Sequence, residues 1–267
     1  MKRPRLVAFD LDGTLIGEEL RVRPRVADAI EKMRALGVQG CIVTGRMYGA
    51  ALPFARALGF DAPIICYQGA AVVDPVKDDV LLDVPLANEA ALAAEAYARS
   101  RNLHIQLYKN DRYYCEERNR YSDLYARLSE SEPVIVPSLR EEFRFSDSTK
   151  ACIIAEPEIV DREIDGVRQA LGASAYVTRS IPWFIEVMSP KVDKGKAFAL
   201  VAQTVGVPLE ETMAIGDSWN DIPLLQAAAF GVAMGSAPPE LRAVSAAVVS
   251  DVAHDGVAEA LERYVLQ

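Results

Sequence analysis

Short apolar runs alternate with stretches of helical periodicity at both ends of the chain. The apolar runs predict buried strands at 5–9, 41–43, 64–67, 212–215, 231–233 and 247–249. The periodic stretches predict helices at 24–37, 47–58, 194–205 and 219–229. Pro24 suits the first turn of a helix, and Gly37 suits its end. Strands that alternate with helices in this way predict a parallel sheet flanked by helices.

The middle of the chain has a different pattern. Apolar stretches at 105–108 and 113–115 flank a turn-prone Lys-Asn-Asp, which predicts an antiparallel hairpin. Further strands are predicted at 151–154 and 183–187, and helices at 87–100 and 158–171. We therefore predict a Rossmann-like, three-layer α/β core over residues 1–83 and 188–267, with an inserted α+β domain over residues 84–187.

Composition narrows the class of protein. A hydrophobic fraction of 51% over 267 residues is ample for buried cores. The formal net charge of −9 argues against a nucleic-acid partner, because affinity for phosphate backbones comes from clustered Lys and Arg. No stretch approaches the 18 apolar residues of a membrane span. The four cysteines form no CxxC pair, which indicates neither a zinc site nor a disulfide framework and predicts a reduced, cytoplasmic protein.

Residues whose side chains could take part in chemistry follow several of the predicted strands. Open α/β sheets place their ligands at the carboxyl edge, where such residues meet. Each group alone has an ordinary explanation: a turn, a helix cap or a solvated lysine. The four groups are Asp10-Leu11-Asp12-Gly13-Thr14, Thr44-Gly45-Arg46, Lys194 at a helix start, and Gly216-Asp217-Ser218-Trp219-Asn220-Asp221.

In this order, the four groups resemble the four motifs of the haloacid dehalogenase-like (HAD) superfamily. The long interval between Thr44 and Lys194 accommodates the inserted domain. That position is similar to the type-two (IIB) cap of the Cof-type phosphatase branch. The stretch Ser189-Pro190-Lys191-Val192-Asp193-Lys194-Gly195 also fits this branch. The resemblance implies a phosphatase core with a cap that covers the site and selects the substrate.

The resemblance also implies a role for each motif residue. Asp10 would attack phosphorus, and Asp12 would protonate the leaving group and then activate water. Mg²⁺ would bind the Asp10 carboxylate, the Asp12 carbonyl and the Asp217 carboxylate. In phosphoryl transfer, most of the rate acceleration comes from positioning the reacting groups and from neutralising the phosphoryl oxygens. The residues expected to hold those oxygens are Leu11, Thr44, Gly45, Lys194 and Asn220, with Asp221 and Arg46 in support.

One position departs from the branch. After the third predicted strand the branch often carries Asn-Gly-Ala, whereas this chain has Gln68-Gly69-Ala70. Gln68 is therefore only a candidate substrate contact, and a polar residue in a turn is an equally good interpretation.

Several alternatives remain open. A sugar phosphomutase or phosphotransferase would use the same Asp10 intermediate but a different acceptor, and a metabolite sensor of this fold would need no catalysis. Dehalogenation is disfavoured because the branch that performs it lacks the second acid, Asp12. Neither His104 nor His254 lies in a motif, which disfavours a histidine-based phosphatase. The expected partner is a small phosphate ester, and the pattern is compatible with a monomer or a homodimer.

Overall fold

Strands and helices alternate along the computed structural model, which describes residues 3–267. The strands are β1 Leu6–Asp10, β2 Gln39–Val43, β3 Ile64–Cys66, β4 Ala71–Asp74, β5 Asp79–Asp83, β6 His104–Lys109, β7 Arg112–Cys115, β8 Val134–Ile135, β9 Ala151–Ile154, β10 Tyr176–Arg179, β11 Phe184–Met188, β12 Thr212–Gly216, β13 Phe230–Ala233 and β14 Ala247–Val248. The α-helices are α1 Pro24–Ala35, α2 Tyr48–Leu58, α3 Asn88–Ser100, α4 Arg120–Ser129, α5 Leu139–Glu142, α6 Pro157–Leu171, α7 Lys194–Thr204, α8 Ile222–Ala227, α9 Pro239–Val244 and α10 Gly256–Tyr264.

The chain divides into two compact units. The first unit contains the residues up to Gly45, then Ala51–Leu81 and Asp193–Gln267. The second contains Arg46–Ala50 and Leu82–Val192. The predicted core range 1–83 begins with residues 1 and 2, which lie outside the described part of the chain.

The first unit is built on an eight-stranded sheet. Its strand order is β14-β13-β12-β1-β2-β3-β4-β5, with parallel pairing from β14 to β3 and antiparallel pairing between β3 and β4. Every residue of β1 and β12 is buried, as expected for central strands of a parallel sheet, and this explains the apolar runs 6–9 and 213–215 within them. Helix α1 packs against α10, helix α7 packs against α8, and both pairs contact strands of the sheet.

The register of this sheet aligns its functional edge. Asp10 pairs with Val43, so the chain leaves β1 and β2 at the same level. Phe9 pairs with Ile215, which places the end of β12 beside them. The segments that follow β1, β2 and β12 therefore emerge at one edge of the sheet.

The second unit contains a six-stranded sheet in the order β10-β11-β9-β6-β7-β8. All of its pairs are antiparallel except β7 with β8. One face carries an apolar cluster in which Leu107, Ile153 and Val187 pack with residues of α3 and α6. The short segment 46–50 belongs to this unit, where the Asp111 carboxylate accepts hydrogen bonds from the Tyr48 and Gly49 amides at 2.8 and 2.7 Å.

The predicted fold class is confirmed, with one clear correction among the elements. The predicted helix 219–229 is wrong: Trp219–Asp221 form a 3₁₀ turn and α8 runs only from Ile222 to Ala227. Pro223 lies in the first turn of α8, where its missing amide costs no hydrogen bond. At Ala228 the backbone becomes extended and leads into β13. Among the described residues, no helix is both long and apolar enough to cross a membrane.

Candidate active site

A buried lysine joins two carboxylates at the functional edge of the first unit. Lys194, the first residue of α7, lies with its Nζ 2.5 Å from Asp10 Oδ1 and 2.6 Å from Asp221 Oδ1. The Lys194 side chain is 1% exposed, and those of Asp10 and Asp221 are 6% and 0% exposed. Burial makes such a charge costly unless it is paired, and here two acids pair it.

Asp221 also shapes the loop that carries Asp217. Its second carboxylate oxygen, Oδ2, accepts hydrogen bonds from the Asp217 and Ser218 amides at 3.0 and 3.1 Å. One side chain therefore holds both the ammonium of Lys194 and the backbone of the fourth motif.

Three acids form a cluster with the geometry of a cation site. Carboxylate oxygens of Asp10, Asp217 and Asp221 lie within 4.8 Å of one another. Thr14 Oγ1 donates a hydrogen bond of 3.1 Å to Asp217 Oδ1. Gly13 has a φ of +86°, and a Cβ at that position would overlap the Asp217 carboxylate. The DxDGT sequence thus needs its glycine for both backbone conformation and space.

The electrostatics of this cluster favour a bound cation. The pKa of Asp10 is raised to about 7, because burial and the nearby Asp221 raise it more than Lys194 lowers it. Burial also raises the pKa of Asp217 well above its usual range, and repulsion from Asp10 and Asp221 adds to this. Burial alone would lower the pKa of Lys194, but Asp10 and Asp221 raise it overall. Three carboxylates share one ammonium here, and such an excess of negatively charged oxygen donors fits a hard divalent ion such as Mg²⁺.

Other candidate residues lie on the neighbouring segments. Thr44 follows β2 and is buried; its amide donates to the Ile65 carbonyl at 2.8 Å. Leu11 is fully buried, and its carbonyl accepts a bond of 2.9 Å from the Ile16 amide. Asp12 is partly exposed and forms an isolated β-bridge with Ile16.

The remaining candidates divide between the units. Gly45 is partly exposed and ends a segment of the first unit, whereas Arg46 is buried and belongs to the second. Asn220 is buried, and its Nδ2 donates to Gln68 Oε1 at 2.9 Å.

Sequence reasoning missed two contacts of the site. It assigned no role to Thr14, although this residue lies in the first motif and binds Asp217. It also treated Gln68 as a candidate substrate contact and did not foresee its bond to Asn220. A polar residue directly after a core strand was the only signal for Gln68.

The sequence as a whole matches a known family. The family model for haloacid dehalogenase-like hydrolases matches residues 7–261. The chain belongs to this family. The resemblance seen in the four motifs is therefore confirmed, and so is the prediction that this HAD-type hydrolase is a phosphatase.

Similar HAD proteins share the full length of the chain. A protein of Streptococcus pyogenes named as a putative phosphatase is 28% identical over 98% of each chain. A pyridoxal phosphate phosphatase of Escherichia coli is 27% identical over 98% of this chain and 99% of its own. The solved structure of a sugar phosphatase of HAD subclass IIB has a TM-score of 0.86 at 23% identity, covering 97% of this chain and 98% of that one. This last likeness concerns the fold.

Proposed function

We propose that this phosphatase hydrolyses small phosphorylated metabolites through a covalent phospho-aspartate on Asp10, with Mg²⁺ as cofactor. The observation that carries the proposal is the buried Asp10–Lys194–Asp221 array beside Asp217. A carboxylate at a strand end, held by an ammonium and surrounded by further acids, fits a nucleophile that must work next to a dianion.

The chemistry takes two steps. In the first, an oxygen of the ionised Asp10 carboxylate attacks phosphorus and the bond to the leaving oxygen breaks, while Asp12 gives its proton to that oxygen. In the second, Asp12 takes a proton from water, which attacks phosphorus and releases inorganic phosphate. The Asp10 carboxylate is then restored.

Lys194 contributes to both steps through its charge. Its ammonium contacts Asp10 in the free protein, and a phosphoryl group arriving at Asp10 would meet the same charge. We assign the other phosphoryl contacts to Thr44, Asn220 and the amides of Leu11 and Gly45, with Arg46 in support. These contacts supply local attraction for an anion in a protein of net charge −9.

The proposed ligands of Mg²⁺ are the Asp10 carboxylate, the Asp12 carbonyl and the Asp217 carboxylate. A bound Mg²⁺ supplies positive charge that neutralises phosphoryl oxygens and keeps Asp10 ionised. Asp221 already binds Lys194 and two backbone amides, so we assign it to positioning rather than to the metal.

The substrate is proposed at the level of a class. Phosphate esters of sugars, nucleotides and cofactors all present the phosphoryl group that the first-unit residues would bind. We assign their discrimination to the inserted domain, residues 84–187. Because one relative is named as a pyridoxal phosphate phosphatase, phosphorylated cofactors are among the first substrates to test. We also propose a cytoplasmic location, because the four cysteines are buried and form no disulfide among the described residues 3–267.

Phosphate release from a panel of sugar phosphates, nucleotides, pyridoxal phosphate and 4-nitrophenyl phosphate tests this function, with Mg²⁺ and with a chelator. We expect release that depends on Mg²⁺ and a ranking that narrows the substrate. Release that needs an added sugar acceptor would instead support a phosphotransferase. Tight binding of an ester without turnover would support a sensor.

A further inference from the structure

The turn after β3 has an unusual backbone. Tyr67, Gln68 and Gly69 are consecutive residues with φ values of +51°, +61° and +98°. For the two residues that carry side chains, this left-handed region is energetically unfavourable. A conformation of this cost persists only where the surrounding contacts hold it.

Backbone contacts tie this turn to two of the four motifs. The backbone amide of Gln68 donates a hydrogen bond of 3.0 Å to the Thr44 carbonyl, which connects the turn to the second motif. Gly69 lies directly against the backbone of Asp193 and Lys194, and a Cβ on Gly69 would overlap the Asp193 carbonyl. The turn therefore supports the start of α7, from which the Lys194 side chain extends.

The side chain of Gln68 ties the same turn to the fourth motif. Gln68 is 1% exposed and Asn220 is 5% exposed, so their bond is shielded from water. The Asn220 Nδ2 group carries two hydrogens, one of which points to Gln68 Oε1. Asn220 Oδ1 is buried and accepts no hydrogen bond from the residues between 3 and 267. The Gln68 contact is thus the one that fixes the rotation of the Asn220 amide.

We propose that Gln68 is a positioning residue of this phosphatase, which fixes the Asn220 amide so that its second N–H meets a phosphoryl oxygen. The inference rests on the proposed function, in which Asn220 binds the transferring group. Through the turn Tyr67–Gly69, Gln68 also joins the second, third and fourth motifs. Gln68 then acts on the reaction through Asn220 and does not touch the substrate.

A double-mutant cycle on 4-nitrophenyl phosphate tests the coupling. Gln68→Met keeps the length of the side chain and removes its amide. We expect this change to lower kcat/KM roughly tenfold, the scale of one lost hydrogen bond, in otherwise wild-type protein. In the Asn220→Ala background, the same change should cost less than about twofold, because the partner is already absent. Equal losses in both backgrounds would overturn the proposal.

Gln68→Asn serves as the second variant in case the methionine variant folds poorly. Asn adopts left-handed backbone more readily than Gln, so the fold should be kept, yet its amide is one methylene too short for Asn220. We expect reduced kcat/KM with unchanged or higher thermal stability. Full activity in this variant would contradict a role for the contact.

A spectroscopic readout separates this inference from the proposed function. In ¹⁵N-labelled protein, the side-chain amide signals of Asn220 are identified by their loss in Asn220→Ala. We expect them to shift in Gln68→Met, whether or not any ester is hydrolysed. Absence of turnover in the wild type would refute the function alone. Unchanged Asn220 signals would refute the positioning role alone.

Discussion

Two opposing influences act on the Asp10 carboxyl group. It is buried, which raises its pKa to about 7, and it lies 2.5 Å from an ammonium that favours its ionised form. A nucleophile of this kind is poorly solvated and held in one orientation, so little reorganisation is needed before attack.

Asp10→Asn is the direct test of the nucleophile. The amide is nearly isosteric, and Lys194 keeps its contact with Asp221, so the fold should be preserved. We expect phosphate release to fall by roughly 10⁴-fold or more, as for lost nucleophiles in other covalent enzymes. Thermal unfolding provides the control for folding. Turnover near the wild-type rate would remove Asp10 from the mechanism.

Asp12→Asn separates the two proposed steps. General acid–base catalysis is worth about 10²–10⁴-fold, and it matters least for a leaving group that is already a stable anion. With 4-nitrophenyl phosphate, we expect one equivalent of nitrophenol to appear quickly, followed by slow turnover, because without the Asp12 carboxylate no base activates the water that attacks the phospho-aspartate. Rapid-mixing absorbance measures this burst.

The matched control for the burst is Asp10→Asn, which should give none. Wild-type turnover in Asp12→Asn with alkyl phosphates, which need the proton most, would exclude Asp12 as the acid.

At the scale of elements, the second unit contains its own buried ion pair. Lys150, just before β9, lies with its Nζ 2.8 Å from Glu186 of β11, and their side chains are 1% and 3% exposed. The Lys150 ammonium also lies 4.7 Å from the centre of the Tyr108 ring. These contacts connect the three strands β6, β9 and β11 on one face of the sheet.

Lys150→Met should destabilise the protein by about 3–5 kcal/mol, because it leaves the Glu186 carboxylate buried without the neutralising charge of Lys150. Adding Glu186→Leu should recover much of this loss of stability, since the destabilisation comes from the buried negative charge. Urea unfolding measures both changes. The control is Arg118→Met, which breaks exposed pairs with Asp123 and Glu132 and should change the stability little, because water screens exposed charges. Equal effects of the two single changes would contradict this account.

The elements also show what the sequence could reveal. β1 and β12 were predictable because strands buried on both faces are continuously apolar. Helix α4 was missed because its buried residues include Ser122 and Ser129, so its inner face does not appear apolar. The predicted helix 219–229 failed because the alanines near its end are good helix formers, yet the chain there turns into β13.

The same distinction applies to the candidate site. Acids at the ends of parallel strands could be placed together from topology alone, since all such ends meet at one edge. The bond between Gln68 and Asn220 joins residues 152 positions apart through their side chains. Such a contact leaves no local sequence pattern and is visible only in the folded structure.

For the whole molecule, two pKa shifts give stability opposite dependences on pH. Burial lowers the pKa of His104, in the second unit, to about 4. Between pH 6.5 and about 4 the unfolded chain therefore binds this proton more readily, and stability falls as pH falls. Burial raises the pKa of Asp10, in the first unit, to about 7 in the absence of a metal ion. Between pH 3.8 and about 7 the folded state holds that proton, and stability falls as pH rises.

The two contributions partly cancel in the wild-type protein, and single variants should expose them. With a chelator present, we expect Asp10→Asn to become more stable relative to wild type as pH rises from 5 to 7. His104→Gln should become less stable relative to wild type over the same interval, because wild type regains the His104 contribution. Each change in stability relative to wild type should amount to a few kcal/mol, because one unit of pKa difference between the folded and unfolded states is worth on the order of 1.4 kcal/mol. Urea unfolding at a series of pH values measures both differences.

Magnesium supplies the decisive comparison between the two trends. If Asp10 is a ligand, saturating Mg²⁺ keeps its carboxylate ionised in the folded state, so the rise of Asp10→Asn relative to wild type should disappear or reverse. The His104→Gln trend should not respond to Mg²⁺, because that side chain lies in the other unit. Trp219 in the first unit and Trp183 in the second give each unit a fluorescence probe through Trp→Phe variants. Slopes of the same sign in both variants, or a Mg²⁺ effect on both, would contradict the assignment of these shifts to Asp10 and His104.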